Sequence, residues 1–159
     1  MGEQVPRVGI GLDTHPWAEE DRPLWLGGVM FNGERGLAGH SDGDVVSHAI
    51  ADAVLGAAAQ GDVGMHFPDD DPAYAGITGA ELLAGALASV RGAGFGVRSC
   101  DTTLICVRPA ISPRSQEMRS SLATTLGIPV DSVSVKATRP EGLGLIGEGI
   151  GCLAVVVLT

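Results

Sequence analysis

Apolar and polar residues alternate with two different periods along this chain, and the patterns predict an irregular succession of strands and helices. Short runs rich in valine, isoleucine and leucine predict strands at residues 6–12, 24–29, 100–107, 133–137 and 150–158. Longer runs with apolar residues three and four positions apart predict helices at about 42–59, 78–91 and 112–126.

Residues typical of helix starts precede two of the predicted helices. Ser41 and Asp44 have the spacing of a capping box, which places the start of the first helix at Ser41 or Asp42. Thr78 and Glu81 have the same spacing before the second helix. Both helices are therefore predicted to begin in a turn with polar side chains.

The order of the elements decides the predicted fold class. Strands and helices do not alternate regularly, which predicts a single α+β domain over residues 1–159. We expect a two-layer, ferredoxin-like sandwich of one mixed sheet with helices on one face. The last strand is apolar at both odd and even positions, so both of its faces need to be buried. The uncovered sheet face is therefore expected to pack against other copies of the chain.

Composition and charge exclude several classes of function. The 159 residues have a formal net charge of −9, with 10 basic and 19 acidic side chains, which argues against nucleic-acid binding. The first residues lack the regions of a signal peptide, and no apolar run approaches the ~20 residues of a membrane span. Three cysteines without a Cys-x-x-Cys pair favour buried thiols. We expect a cytoplasmic protein that does not bind membranes.

Candidate chemistry is concentrated in two short pieces, 13–15 and 39–48, which hold three of the four histidines and three carboxylates. Asp13 and His15 are two positions apart at the end of the first strand, so their side chains leave the same face. His48 lies in the second turn of the first helix. One aspartate and two histidines suit a three-ligand zinc site with a fourth position free for substrate.

Other roles for these residues stay open at this point. Asp13 can simply end a strand, His15 can belong to a surface loop, and His48 can be a hydrogen-bonded helix residue. The same ligand set also suits manganese, cobalt or iron, and it would serve an unrelated zinc hydrolase that activates water. Asp44 or Asp52 could orient the His48 imidazole.

A loop at residues 61–72 is rich in glycine and proline and carries four acids and His66. The alternating oxygen ligands and the distal glutamate of a calcium-binding EF-hand are missing. We interpret the loop as a substrate-binding segment or a flexible lid. A solvated acidic turn is the alternative.

Several motifs follow one another along the chain in a distinctive order. They are Asp13-Thr-His15, Ala38-Gly-His40-Ser41-Asp-Gly-Asp44 with His48, Gly61-Asp62-Val-Gly64, Phe67-Pro68-Asp69, Arg108-Pro109, and Val135-Lys136-Ala137-Thr138 with Glu141. In this combination the chain resembles the 2-C-methyl-D-erythritol 2,4-cyclodiphosphate synthase family over residues 7–158.

The resemblance implies a homotrimer with active sites between neighbouring subunits. It implies that Asp13, His15 and His48 bind zinc or another divalent transition metal beside the substrate, and that His40 and Ser41 contact the erythritol phosphate end. Further substrate contacts are implied for Asp62, Gly64, Phe67, Asp69 and Asp71, for a cytosine pocket of Cys106, Pro109, Ala110, Ile111 and Ser112, and for a diphosphate site of Ala137, Thr138, Arg139 and Glu141. Glu141 is implied near magnesium or manganese, and the implied catalytic residues are His40, Thr138 and Arg139.

The implied reaction is cyclisation of 4-diphosphocytidyl-2-C-methyl-D-erythritol 2-phosphate, a small cytidine diphosphate substrate of the non-mevalonate isoprenoid pathway. Its 2-phosphate attacks the β-phosphorus and releases CMP, which is the reaction of a phosphorus–oxygen lyase. The nucleophile is already ionised at neutral pH, so alignment and charge neutralisation are left to the protein. An acidic chain needs bound cations for this, because its own carboxylates repel a polyanion.

Three positions depart from the family pattern. Arg139 stands where a second threonine is common, and Ala110 stands where the cytosine loop commonly has a lysine. The glycine-rich segment 143–149 is shorter than in relatives and lacks an arginine that lines a cavity on the trimer axis, so an isoprenoid diphosphate ligand is not carried over. These departures leave open a weakly active or inactive nucleotide-binding trimer of the same fold.

Overall fold

The computed structural model describes residues 5–144 and 148–159. Its regular elements are β1 (Arg7–Pro16), β2 (Leu24–Leu26), β3 (Val29–Phe31), α1 (Val45–Ala57), α2 (Val63–His66), α3 (Gly79–Gly92), β4 (Val97–Ile105), α4 (Ser115–Leu126), β5 (Val133–Thr138) and β6 (Gly149–Leu158). Short 3-10 turns occur at Pro72–Tyr74, Ser112–Arg114 and Val130–Ser132. The shortening expected within 143–149 falls partly on residues 145–147, which lie outside the described residues.

One mixed sheet organises the chain. Its strand order is β1, β6, β4, β5, in which β4 and β5 are parallel and β6 is antiparallel to both of its neighbours. β2 and β3 form a separate antiparallel hairpin. Helix α1 packs on β1 and β6, α3 packs on α1, and α4 packs beside β5. The predicted α+β architecture, with one mixed sheet and helices, is confirmed.

The face of β1 that carries the candidate ligands lies tightly against α1. A Cβ atom at Gly9 would overlap the Ala53 carbonyl oxygen, and one at Gly11 would overlap that of Ala49. Only glycine allows the strand and helix backbones to approach so closely. Because side chains alternate along a strand, Asp13 lies on the same face as both glycines. This packing brings its carboxylate close to the N-terminal part of α1.

The opposite face of the sheet is apolar and exposed in the single chain. Its most exposed members are Val8, Ile10 and Leu12 at 67, 66 and 60 %, with Leu153 and Val155 at 36 % each. Leu12 pairs with Leu153 across the sheet, and Ile10 pairs with Val155, so these side chains form one patch. Exposed apolar patches of this kind are typical of protein interfaces.

The single strand predicted at residues 24–29 is wrong. The segment forms β2 and the start of β3, which are joined by Gly27 and Gly28. Their φ angles of 61° and 73° are in the left-handed region that a tight hairpin turn needs. The two glycines therefore reverse the chain where an uninterrupted apolar run favoured one strand.

Helix α1 begins later than the capping-box spacing predicts. Its N-cap is Asp44, whose carboxylate accepts hydrogen bonds from two backbone N–H groups of the first turn. A start at Ser41 or Asp42 is therefore wrong. The second predicted capping box, Thr78 with Glu81, is confirmed at the start of α3.

Two further features concern the cysteine side chains and the lengths of the helices. All three cysteines are buried free thiols. Burial, with a smaller effect of the Asp101 charge, raises the pKa of Cys100 to about 12, so this thiol stays protonated at neutral pH. Across residues 5–144 and 148–159, every helix is too short or too polar to cross a bilayer.

Candidate metal centre

Asp13, His15 and His48 converge on one point beside the N-terminal turn of α1. Asp13 Oδ2 lies 3.0 Å from His15 Nε2 and 3.2 Å from His48 Nδ1. One potential ligand atom from each residue lies within 4.8 Å of the other two. Three donors at this separation can share a single divalent cation, and their nitrogen and oxygen chemistry fits such an ion.

The elements explain why three residues distant in sequence meet here. Asp13 and His15 are two positions apart in β1, so both side chains lie on the face that packs on α1. The backbone N–H of His48 donates to the Asp44 carbonyl in the first hydrogen-bonded turn of α1, 3.0 Å away. The close contact of β1 with α1 at Gly9 and Gly11 then brings His48 within reach of Asp13 and His15.

Each imidazole has a hydrogen-bond partner on the side away from the cluster. His15 Nδ1 lies 2.5 Å from the Ala38 carbonyl oxygen, to which it donates as a neutral or charged ring. His48 Nε2 lies 3.0 Å from Ser41 Oγ. These contacts leave His15 Nε2 and His48 Nδ1 facing Asp13, as a shared cation requires.

The two acids considered as orienting partners of His48 are bonded elsewhere. The buried Asp44 carboxylate binds the backbone N–H groups of the β2–β3 turn and of its own helix. Asp52 accepts a hydrogen bond of 3.1 Å from the Val63 backbone at the start of α2. The orienting role expected for Asp44 or Asp52 therefore belongs to Ser41.

The electrostatics of the cluster favour an ionised carboxylate. Burial by itself raises the pKa of Asp13, but hydrogen bonds and charge interactions with His15 and His48 outweigh it and hold that pKa well below its usual range. Burial lowers the pKa of His15, and the Asp13 carboxylate more than reverses this effect. Asp13 is thus charged at neutral pH, which is the form that binds a cation.

The cluster opens into a cleft of about 440 Å³. Eight of the predicted site residues line this cleft: Asp13, His15, His40, Ser41, His48, Gly64, Phe67 and Asp69. Asp62 and Asp71 are not part of its lining, because they cap short helical turns through hydrogen bonds to the backbone of Met65 and Ala73.

The cleft also contains residues that sequence reasoning missed. Tyr74, Gly76 and Ile77 line it as well. The Tyr74 ring packs edge-on against Phe67, with centroids 5.3 Å apart. Tyr74 is the chain's one tyrosine and lies two residues after the acidic loop, and this position was the signal in the sequence. These residues add apolar surface to the lining of the cleft.

The remaining predicted residues lie at the carboxyl ends of β4 and β5. The Cys106 backbone N–H donates to the Thr138 carbonyl oxygen at 3.1 Å, which joins the segments 106–112 and 137–141. β1 runs in the same direction as β4 and β5, so this group lies at the same end of the sheet as Asp13. It is separated from Asp13 by strand spacings of ~10 to ~14 Å. None of these residues lines the cleft around Asp13, His15 and His48.

Glu141 is the residue expected near a second metal. It is exposed and has a φ of 51°, next to Gly142 in a turn. Within the described part of the chain, the one cluster of three potential metal ligands is that of Asp13, His15 and His48. A cation at Glu141 would therefore need oxygen ligands from the substrate, as magnesium commonly has.

Comparison with known proteins identifies the family. The model of the YgbB family matches residues 6–159. The chain belongs to the YgbB family. The predicted resemblance is thereby confirmed, since relatives of this YgbB chain carry the synthase name.

Two relatives differ in how much of their length this chain matches. The chain is 52% identical over 147 residues to the bifunctional enzyme IspD/IspF of Anaeromyxobacter sp. strain Fw109-5, which covers 92% of this chain and 38% of that enzyme. It is 49% identical over 154 residues to 2-C-methyl-D-erythritol 2,4-cyclodiphosphate synthase of Idiomarina loihiensis, covering 96% of each. This YgbB chain therefore spans less than half of the bifunctional relative and almost all of the other.

A solved structure supports the fold. The YgbB chain superimposes with a TM-score of 0.88 and 34% identity on a 2C-methyl-D-erythritol-2,4-cyclodiphosphate synthase in a CDP-bound form, covering 96% of this chain and 100% of that one. The relatives are named as enzymes, and the chain is an enzyme of this family.

Proposed function

We propose that this chain converts 4-diphosphocytidyl-2-C-methyl-D-erythritol 2-phosphate to 2-C-methyl-D-erythritol 2,4-cyclodiphosphate and CMP, as a phosphorus–oxygen lyase of non-mevalonate isoprenoid biosynthesis. The observation that carries the proposal is the Asp13, His15 and His48 cluster in a cleft of a chain 49% identical to a synthase of that name. Three free thiols favour a cytoplasmic location, where they stay reduced.

The metal proposed at the cluster is zinc. Two imidazole nitrogens and one carboxylate oxygen are a common zinc ligand set with a position left for substrate. When bound there, zinc would act as a Lewis acid on a phosphoryl oxygen. The chain's own contribution is to keep Asp13 ionised and to fix both rings through Ala38 and Ser41.

The residues around the cluster are proposed to align the substrate. His40 and Ser41 face the cleft and would bind the erythritol phosphate end. Gly64, Phe67 and Asp69 line the same cleft and would hold the erythritol unit. Asp62 and Asp71 are proposed substrate contacts of the loop that carries these three. A phosphate nucleophile is ionised at neutral pH, so this alignment replaces a general base.

The nucleotide is proposed to bind at the ends of β4 and β5. Cys106, Pro109, Ala110, Ile111 and Ser112 would form the cytosine pocket, and Ala137, Thr138, Arg139 and Glu141 would hold the diphosphate. Thr138 and Arg139 are the proposed catalytic residues there, with His40 in the cleft. The Arg139 guanidinium would neutralise phosphoryl charge, and Glu141 would hold magnesium or manganese together with substrate oxygens.

The active form is proposed to be a homotrimer. In one protomer the nucleotide segments do not line the metal cleft, so a complete site needs the segments 106–112 and 137–141 of a neighbour. The exposed apolar patch of Ile10, Leu12 and Val155 offers a surface for that contact. Light scattering on the purified protein is expected to give three times the 16.2 kDa chain mass.

One incubation tests the proposed reaction against its rivals. Purified protein with zinc, magnesium and the diphosphocytidyl substrate is followed by phosphorus NMR and by chromatography of nucleotides. A cyclic diphosphate that appears with one equivalent of CMP supports the synthase. Substrate binding without turnover would identify an inactive relative, and a linear phosphate product would identify a hydrolase.

A further inference from the structure

Residues 38–41 contact both candidate imidazole ligands from outside the metal cluster. The Ala38 carbonyl oxygen accepts from His15 Nδ1 at 2.5 Å, and Ser41 Oγ lies 3.0 Å from His48 Nε2. The orientation of each ring therefore depends on where this segment lies. A shift of the segment would turn both rings together.

The segment has little regular structure of its own to hold it. It lies between β3 and α1, and a backbone hydrogen bond of 2.8 Å from the Ala38 N–H to the Pro16 carbonyl oxygen ties it to the end of β1. Gly39 packs so closely on the His15 ring that a Cβ atom there would lie 2.9 Å from the ring atoms. The position of His15 is thus sensitive to small movements of the segment.

Arg22 spans this segment with two hydrogen bonds from one guanidinium group. Its Nη1 donates to the Gly39 carbonyl oxygen at 3.1 Å, and its Nη2 donates to the Ser41 carbonyl oxygen. The two carbonyl groups flank His40, so the planar fork closes the turn around that residue. Glu20 Oε1 lies 3.8 Å from Nη1 in an additional, exposed charge contact.

We propose that Arg22 is a positioning residue that fixes residues 38–41 and thereby presents both imidazoles to one cation. The inference rests on the metal site of the proposed function and adds to it a residue that contacts no ligand atom. A partner that bonds a metal ligand directly typically changes metal affinity by ~10–100-fold when it is removed, and Arg22 acts one contact further out, so we expect the lower end of this range. A lysine offers one compact ammonium group and does not reproduce the fork.

The charge of Arg22 and its hydrogen bonds have opposite effects on metal affinity. A fixed positive charge near a cation site repels the cation, so removal of the charge alone would tighten metal binding. Loss of the two hydrogen bonds would weaken it. The sign of the change therefore separates positioning from electrostatics.

The experiment compares three variants with the wild-type chain. Arg22→Gln removes the charge and the forked pair of donors, and Arg22→Lys keeps the charge without the fork. Arg91→Gln is the matched control, because Arg91 also donates to a backbone carbonyl, that of Leu126 at 2.9 Å, away from the cleft. Zinc affinity is measured by competition with a chromophoric chelator, and cobalt is used to record the visible spectrum of the site. Thermal unfolding shows that each variant is folded.

Arg22→Gln is expected to bind zinc about 10-fold more weakly, with an altered cobalt spectrum. Arg22→Lys should also be weaker than wild type, and Arg91→Gln should bind as wild type does. Unchanged or tighter binding by Arg22→Gln overturns the proposal, and so does an equal loss in Arg91→Gln. Wild-type protein that binds zinc but does not cyclise substrate would refute the proposed function without affecting this result.

Discussion

The Asp44 carboxylate connects the start of α1 to the β2–β3 turn, and its removal is expected to destabilise the fold strongly. Its two oxygens accept hydrogen bonds from Gly27, Gly28, Val46 and Ser47 backbone N–H groups at 2.8 to 3.1 Å, and from the Ser47 hydroxyl at 2.8 Å. The side chain is 1 % exposed, so water cannot replace it. Asp44→Ala leaves these donors without their acceptor.

The structure allows the cost to be worked out. Loss of an N-cap costs about 1 kcal/mol. Each hydrogen bond from the hairpin turn to the charged acceptor contributes a further ~1.5–3 kcal/mol. Partial relaxation makes these effects less than additive, so we expect Asp44→Ala to lower the free energy of unfolding by about 4 kcal/mol. That is a large part of a typical total of ~5–15 kcal/mol.

Urea unfolding followed by circular dichroism measures this loss, with protein concentration and zinc content held constant. Asp52→Ala is the control, since Asp52 lies in the same helix and accepts one hydrogen bond, from Val63. Because Asp52 is half-buried and accepts a single bond, the control should lose about 1.5 kcal/mol, the lower end of the same range. A loss below about 1.5 kcal/mol in Asp44→Ala, or equal losses in both variants, would show that the Asp44 carboxylate does not join the helix to the hairpin turn.

Three further predictions concern the site. His48→Ala should remove both bound zinc and turnover while the protein stays folded; stoichiometric zinc in the purified variant would refute the ligand assignment. Asp62→Ala should chiefly raise KM, because Asp62 belongs to the loop that supplies Gly64, Phe67 and Asp69 to the cleft, and steady-state kinetics with an unchanged KM would count against this role. Zinc affinity should fall as pH decreases: despite burial, Asp13 raises the pKa of His15, so the metal-free ring keeps its proton to higher pH than an ordinary histidine and the proton competes with the metal. Chelator competition at several pH values measures this, and a flat profile between about pH 5 and 8 would contradict it.

The meeting of Asp13, His15 and His48 was predictable because it depends on local rules. Alternation along a strand is enough to place Asp13 and His15 on one side. The polar residues that mark the start of α1 place His48 within the first two turns of that helix. The glycines at positions 9 and 11 then fix how closely strand and helix approach, which is a consequence of missing side chains rather than of any motif.

The errors come from contacts that are distant in sequence. Ser41, Asp42 and Asp44 are all good caps by composition, and the choice of Asp44 depends on hydrogen bonds from Gly27 and Gly28, in a hairpin far earlier in the chain. The same contact explains why residues 24–29 are not one strand. Likewise, Ser41 rather than an acid supports His48, because the N-cap role leaves Asp44 unavailable to the ring.

Anomalous diffraction at the zinc edge, from crystals of protein purified without chelators, tests the shared metal site most directly. One peak is expected, at about 2.0–2.2 Å from His15 Nε2, His48 Nδ1 and Asp13 Oδ2 together. A peak bound to fewer than all three of these atoms, or a zinc-loaded crystal without a peak in this cleft, would contradict it.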